Sequence, residues 1–579
     1  MSLFRTKDFS KITEADSEHE GGLKRVLTLK DLTFLGIAAI IGAGSFSSLG
    51  DACFRAGPGV VVMFVICAVA CGFTALCYAE FAGRIPVAGS AYTYAYASFG
   101  EIVAWVIGWA LILEYSVGNI YVAFSWSEYF TNLLGDLHIH LPNWITSSYM
   151  EAKHAYSNYQ TTLAETIKNH GNVKDVVMNA DAYAWTVAPT IGGLKILFDL
   201  PALMINFFVT WLVLVGVKES KNVTNIMVYI KLIAVALVIV VGVLYIIPSN
   251  WMPESTMVKG GHSFFPKGFV GVMGAVSAVF FAFVGFDAIS TMAEEAKNPQ
   301  KDLPKSMLYS LIICTIIYIV LALVLTGMVN YKEFEGVSDP LAYVFEARGV
   351  TWLKIIISIC AVAAMTSVIL VFQLGQPRIW YTMAKDGLMP KRFSKIHPKY
   401  KTPAYSTIVT GLVVGIPILF VDKTFVLDFT SIGTLFAFVI VCGGVLMLPR
   451  KEKVEGRFHL PFINGKYYFM AIIVLALSIL LMNNPNYFID LFHPMEDTMT
   501  LSVSTLIFWA LMVLFVVFAF VKEWSLIPLL GLSSCLYLLT GMTAVNWFWF
   551  ALWFGLGLLV YFLYSRKNSK LNNTTHETI

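Results

Sequence analysis

Of 579 residues, 57% are hydrophobic and 13% charged, against roughly 25% charged in an ordinary soluble domain, so water is not the main solvent of this chain. The net charge of +3 is too small, and the Lys and Arg residues too dispersed, for a nucleic-acid partner. The eight cysteines form no redox framework: Cys67, Cys71, Cys77, Cys314, Cys360, Cys442 and Cys535 fall inside apolar runs and Cys53 lies near the end of one, so neither a disulfide nor a metal site is expected.

The first 30 residues, with Lys7, Lys11, Asp16, Glu18 and Glu20, are polar and lack the apolar core and cleavage site of a signal peptide, which predicts a cytoplasmic N-terminal tail. Apolar runs long enough for about 30 Å of hydrocarbon then recur to the end of the chain. They predict an all-α membrane protein with helices at 31–55, 59–82, 102–130, 196–217, 223–247, 268–293, 306–328, 351–374, 404–421, 427–448, 467–483, 503–521, 524–541 and 545–564. These fourteen spans divide into a core over 31–450 and an appended group over 451–564, followed by a tail over 565–579. With the N-terminus inside, most of the 40 Lys and Arg residues fall in cytoplasmic loops. That bias predicts a multi-pass protein of the inner (plasma) membrane with both termini cytoplasmic.

The largest inner loop, 376–403, carries Arg378, Lys385, Lys391 and Arg392, a set suited to anionic lipid headgroups. The largest outer loop, 131–195, is polar, with several Tyr and His residues and no clear periodicity. The last four spans suit a dimer interface and a monomer's buttress equally, so the oligomeric state stays open.

Two spans carry the same flaw. The first contains Gly36, Ile41, Gly42, Ala43, Gly44, Ser45 and Phe46, and the sixth contains Phe281, Ala282, Phe283, Val284, Gly285, Phe286 and Asp287. Glycine lowers the cost of unwinding, and backbone left unpaired at membrane depth survives only where protein or a cavity satisfies it. Small residues in one membrane helix more often serve close packing. Five spans separate the two segments, however, and five is odd, so a repeat of spans one to five in spans six to ten has inverted topology. Interrupted helices at matching points of inverted halves point to a transporter site at mid-membrane. A half-helix starting after Gly42 offers the N–H groups of Ala43, Gly44 and Ser45 to a carboxylate. Carbonyls near Ile41, Phe281 and Ala282 suit an ammonium. Together these describe an alpha-amino acid, with Ile41, Gly42, Ala43, Gly44, Ser45, Phe281, Ala282, Phe283 and Gly285 as the expected substrate contacts.

At these residues the chain resembles the amino acid-polyamine-organocation (APC) superfamily, and within it the cationic amino acid transporter family and its bacterial amino acid permease relatives. The motifs are GIAAIIGAGSFSSLG from Gly36, CYAEFAGRIPVAGSAY from Cys77, IGWALILEY from Ile107, FFAFVGFDAISTMAEEAKNPQKDLP from Phe280 and MAKDGLMP from Met383. The resemblance covers about residues 28–450. It implies a five-plus-five inverted-repeat transporter fold with broken helices 1 and 6, a central amino-acid site and alternating access. Ser45 departs from the family, which usually has an aliphatic residue there, and adds a hydroxyl beside the expected carboxylate.

Charges at membrane depth cost at least about 2.5–3.5 kcal/mol at a helix centre, so Glu114, Lys231 and Asp287 are functional candidates. Asp51 and Glu80 lie near span ends, where capping or solvation accounts for them. A buried ammonium holds its proton less tightly, and the resemblance implies that Lys231 contacts the unwound part of span one in place of a sodium ion. It further implies that Glu114 lies within water-bridged reach of Lys231, the two forming a proton relay. Asp287 is expected to steady or gate the sixth span, and Phe281 and Phe286 to pack or gate.

The expected function is therefore secondary active, proton-coupled import of an amino acid without a cofactor. An exchanger, a polyamine carrier and a sensor with the permease fold are the alternatives. No His-Glu-x-x-His, zinc-spaced Cys pair or phosphate-binding Gly-x-x-x-x-Gly-Lys occurs, so an enzyme is not expected. If Lys231 engages Glu114, little negative charge is left for a cationic side chain, which favours small neutral substrates.

Overall fold

The structure, a computed structural model, describes residues 5–6, 27–84, 90–168, 176, 178–216, 220–256, 260–400, 402–448, 458–492 and 499–573. Among the described residues, ten helices are long and apolar enough to cross a membrane, and Leu200–Val215, Ala404–Ile418 and Leu526–Leu539 are shorter apolar helices. The tail over 7–26 and the loop over 449–457, which carry several cations of the sequence argument, lie outside the described residues.

The first predicted span is two helices. α1 (Leu29–Ile40) begins where Thr28 accepts from the Asp31 N–H and the Asp31 carboxylate accepts in return from the Thr28 N–H, which satisfies donors of the first turn. It stops at Ile41, whose backbone is extended (φ −76°, ψ 99°). The chain restarts as a wide π-helical turn over Gly44–Ser48 that runs into α2 (Leu49–Ala56). α3 (Val60–Arg84), the short α4 (Ser90–Ser98) and α5 (Glu101–Asp136) follow, the last running past its predicted end at 130.

The loop over 131–195, expected on the outside, has structure that its periodicity does not announce: α6 (Tyr149–Lys168), α7 (Ala180–Val187) and a ribbon of β1 (Thr190–Ile191) and β2 (Leu194–Lys195). Tyr149 N and Met150 N donate to the carbonyls of Leu419 and Phe420 (3.3 and 3.2 Å) and Ser148 Oγ to that of Val421 (2.6 Å), so the loop is fastened down by backbone groups. α8 (Leu200–Val215) opens at Asp199, whose buried carboxylate accepts from Ala202 N (2.9 Å) and from Ser127 Oγ of α5 (2.6 Å). Asp199→Ala removes a cap and a charge-assisted bond together. It is expected to lower stability by about 2–3 kcal/mol, read as an earlier thermal transition in detergent, with Asp199→Asn losing less.

α9 (Ser220–Val243) is continuous. The sixth predicted span is broken into α10 (Gly268–Gly274), α11 (Val276–Phe281), a turn over 282–285 and a 3-10 segment, Phe286–Glu295. Gly285 makes that turn at φ +112°, a conformation that costs glycine nothing and strains any residue with a Cβ. α12 (Pro299–Met328), α13 (Pro340–Glu346) and α14 (Thr351–Lys385) come next. The loop expected from Gln376 is corrected here, because α14 continues through Pro377 to Lys385. The side chains hold it: Gln376 Nε2 donates to Ser116 Oγ (2.6 Å) and Trp380 stacks on Phe393 (5.0 Å), offsetting the bond that proline removes.

α15 (Ala404–Ile418) and α16 (Lys423–Met447) complete the core, Asp422 capping α16 through Phe425 N (2.8 Å). Beyond it lie α17 (Gly465–Asn483), α18 (Tyr487–Phe492), α19 (Met499–Lys522), α20 (Leu526–Leu539) and α21 (Ala544–Val560).

Candidate functional site

The two interruptions meet. A Cβ added at Gly44 would run into the backbone Cα of Ala282, so absence of a side chain is what lets the breaks touch. Ser48 Oγ donates to the carbonyls of Gly44 and Ala278 (2.9 Å each), stitching the first break to α11. From α12, Tyr318 Oη bonds to the carbonyls of Ile40 (2.8 Å) and Ala282 (3.0 Å). One hydroxyl thus ties the loose carbonyl ends of both broken helices.

At the head of the second half-helix, Ser45 N and Phe46 N donate to Gly42 O (3.0 Å each), and Ser45 Oγ turns onto the same oxygen (3.0 Å). The expected donor set is corrected accordingly: the Ser45 N–H is committed within its own turn, leaving those of Ala43 and Gly44 ahead of the first bond, at the positive end of the helix. The carbonyls change roles too. Ile41 O accepts from Lys231 Nζ (2.7 Å) and Ala282 O from Tyr318.

Lys231, fully buried on α9, donates to Ala38 O (2.6 Å) as well as Ile41 O. It therefore caps the C-terminal end of α1, where an ammonium suits the helix dipole. Its other electrostatic neighbour is Cys314 of α12, and among the described residues no carboxylate forms an ion pair with it. Glu114 lies elsewhere: its neighbours are Asp287 and the Thr434 hydroxyl of α16. Asp287 is a neighbour of Glu114 that the sequence reading did not name, and it lies there because α5 turns the Glu114 side chain toward the second break.

Glu114 Oε2, both carboxylate oxygens of Asp287, both amide atoms of Asn119 and the hydroxyls of Tyr78 and Tyr115 are buried without a hydrogen-bonded protein partner among the described residues. The Asp287 carboxylate lies over the N–H groups of its own turn, at Asp287 and Ala288, without an aligned bond to them. Each such group costs about 1–3 kcal/mol unless water or a ligand satisfies it. Their gathering along α3, α5 and the second break marks an interior made for polar guests.

The aromatic candidates divide. Phe281 meets Tyr121 edge-on (4.6 Å), beside the break. Phe283 packs against Phe64 and Tyr318 (6.1 and 5.6 Å), between α3 and α12. Phe286 packs on Tyr78 and Phe438 (6.0 and 5.1 Å). Above Phe281, on the side of the outer loop, Lys423 Nζ lies over the Tyr121 ring (5.4 Å), pairs with Glu128 and donates to Ser47 Oγ (3.0 Å). Lys423 N donates to Glu151 Oε2 (2.7 Å), and burial beside Asp181 and Asp422 pushes the Glu151 carboxyl up to about 8. The turn at Ser47, α5, α6 and α16 are thereby drawn together beside the site.

Sequence reasoning missed Tyr318, Ser48, Val368 and Lys423. A hydroxyl in an apolar run is ordinary in membrane helices, and Lys423 sits before the predicted start of its span at 427, so it reads as a loop cation. Val368 matters because a Cβ at Gly42 would meet its methyl group.

Residues 27–518 match the family described as amino acid permease. The chain is 37% identical to the branched-chain amino acid permease BcaP of Bacillus subtilis (strain 168), over 99% of each chain. It is 32% identical to the methylthioribose transporter of the same organism, again over 99% of each. To the human cationic amino acid transporter 4 it is 29% identical, over 97% of this chain and 92% of the relative. With apolar helices that cross the bilayer many times and a family match over most of its length, the chain belongs to the amino acid permease family of the APC superfamily.

Proposed function

We propose that the chain imports a small or branched neutral amino acid together with a proton, by alternating access through a five-plus-five inverted repeat within fourteen spans, from a plasma membrane in which both termini are cytoplasmic. The observation that carries this reading is the contact of the two interrupted helices at Gly44 and Ala282, with the Lys231 ammonium seated on the first of them. Helices five predicted spans apart pack together, α3 on α12, α5 on α14 and α8 on α15, which supports an inverted repeat.

The N–H groups of Ala43 and Gly44 suit a carboxylate, and Phe281, Tyr121 and Val368 supply apolar walls for an uncharged side chain. The name of BcaP favours branched-chain substrates. Lys231, released from its carbonyls when α1 tilts, passes its proton on, and Glu114 with Asp287 supplies the carboxyl stage of the relay. One proton carried with a neutral amino acid moves one charge, worth about 2.3 kcal/mol per 100 mV, enough to sustain roughly fifty-fold accumulation.

The test is uptake of a panel of radiolabelled amino acids into proteoliposomes with no amino acid inside, with and without an inward proton gradient. Gradient-stimulated accumulation of leucine, isoleucine, valine or alanine supports the reading. Uptake only after preloading makes the protein an exchanger. The methylthioribose transporter, equally well covered, favours a second reading with a thioether sugar as substrate; competition of that sugar against leucine separates the two, since it has neither carboxylate nor ammonium for the breaks to hold.

A further inference from the structure

The MAKDGLMP stretch from Met383 takes no part in the site, and neither does Glu101 at the start of α5. Both hold the end of the chain. After α21 the backbone passes through a wide turn, Tyr561–Ser565, and folds back on the face that carries Arg5 and Glu101. Ser565 Oγ donates to Leu388 O (2.6 Å) and Lys570 N to Asp386 O (3.1 Å). Gly387 turns at φ +82° directly under the Asn568 carbonyl, where a Cβ would collide with that oxygen. Leu571 packs on the main core.

Glu101 is the second anchor. Its fully buried carboxylate accepts from Ser569 Oγ (2.5 Å), Tyr561 Oη (3.0 Å), Tyr96 Oη (3.3 Å) and Arg5 Nη2 (3.4 Å). Burying a carboxylate is expensive unless it is paired and hydrogen-bonded. Here the partners come from both ends of the chain and from α4.

α4 is what this arrangement holds in place. Tyr92 Oη donates to Asp386 Oδ2 (2.8 Å) and Tyr96 Oη to Glu101, so α4 shares both anchors with the tail. Its other face reaches the site: Tyr94 stacks on Phe81 (4.8 Å) and meets Tyr78 (6.2 Å), whose ring meets Phe286 (6.0 Å). The Tyr94 hydroxyl is buried near Ser290 of the second break without a hydrogen bond to it, the Ser290 hydroxyl donating instead to Asp287 O (2.6 Å). A helix wedged between the broken span and the tail cannot swing aside while the tail is attached.

We propose that residues 561–571 form a clasp that holds α4 as a plug over the termini-bearing side of the transport site, so that release of the Ser569 contact to Glu101 speeds opening on that side. The clasp rests on the transport reading, but its gating step is measured without substrate. Ser569→Asp places a second carboxylate against Glu101, and Gly387→Ala pushes the tail off from the other anchor. Each is made in the full-length protein together with Ala95→Cys, a buried position on α4, and labelled with a bulky polar maleimide in proteoliposomes and after detergent solubilisation.

Loss of one hydrogen bond to a carboxylate corresponds to about tenfold or more, so both variants are expected to raise the labelling rate at position 95 at least about tenfold. Ser569→Thr, which keeps the hydroxyl, is expected to label as the unmodified tail does. Where a substrate is transported, the clasp variants are expected to raise the turnover rate and leave KM for external substrate unchanged. Unchanged labelling in either folded variant, or faster labelling accompanied by an equal fall in turnover and thermal stability, overturns the clasp. The labelling result stands whether or not the transported substrate is an amino acid. Should Ser569→Asp fail to fold, Gly387→Ala decides alone.

Discussion

With Lys231 replaced by Met, accumulation driven by a proton gradient is expected to fall at least about 100-fold, while exchange of the same substrate survives at a reduced and pH-independent rate. Met keeps the length of the stem and removes the ammonium. The carbonyls of Ala38 and Ile41, 2.6 and 2.7 Å from Nζ, are then left at the end of α1 without their donor, a loss of about 1–3 kcal/mol for each. That alone loosens the break. Lys231→Arg separates loosening from coupling: guanidinium donates to both carbonyls but does not surrender its proton. The Arg variant is expected to retain exchange and to lose gradient drive. Full gradient-driven uptake by the Met variant would sink the proposed role of Lys231 and leave it a structural cap of α1.

Lys231 shows what a sequence can carry. A lone cation among Ile230, Leu232 and their neighbours is conspicuous because desolvation makes it costly, and the cost locates it before any coordinates do. The breaks are legible for a similar reason: Gly42 and Gly44 close together inside an apolar run, and Gly285 just before a buried acid, are unsuited to an uninterrupted helix. What cannot be read is which group answers which. Ile41 O is recognisable as a free carbonyl, yet its acceptance from Lys231 in preference to substrate depends on the crossing of α9 and α1. Tyr318, one tyrosine among 26, becomes a clamp only because α12 passes both loose ends at once. The position of Glu114 beside Asp287 depends in the same way on the rotation of α5 about its axis, which a pattern apolar on nearly every face does not fix.

The outer loop fails to be legible for a different reason. α6 is held by Leu419, Phe420 and Val421 through backbone and hydroxyl groups, so little of its docking appears as an apolar stripe. Lys423 likewise belongs to a network spread over residues from 47 to 423. The contacts of Glu101 have the same character, since it meets Ser569 and Arg5 across most of the chain. The contacts around the candidate site are thus made between residues distant in sequence, whereas the site itself is made of local interruptions.

Gly44→Ala is expected to reduce uptake about 100-fold with the protein still inserted and folded, and Gly42→Ala to reduce it far less. The two positions are two residues apart but meet different obstacles. At Gly42 the obstacle is a methyl group of Val368, a side chain that truncation removes. At Gly44 it is the Cα of Ala282, backbone that Tyr318 holds through the Ala282 carbonyl while holding Ile40 by the same oxygen. Room for a Cβ therefore comes only by moving the breaks apart, which displaces the N–H groups of Ala43 and Gly44 from whatever they bind. A misplacement of about 1 Å in a positioned site costs on the order of 100-fold. The rescue pattern distinguishes this account from general loss of stability. Val368→Ala is expected to restore uptake to the Gly42→Ala protein, since β-branched Val is stiff and its removal opens the space. Ala282→Gly is expected not to restore the Gly44→Ala protein, because the colliding atom remains. Rescue of both, measured as initial uptake rates normalised to inserted protein, would mean that the breaks are held apart by side chains and not by the crossing of two backbones.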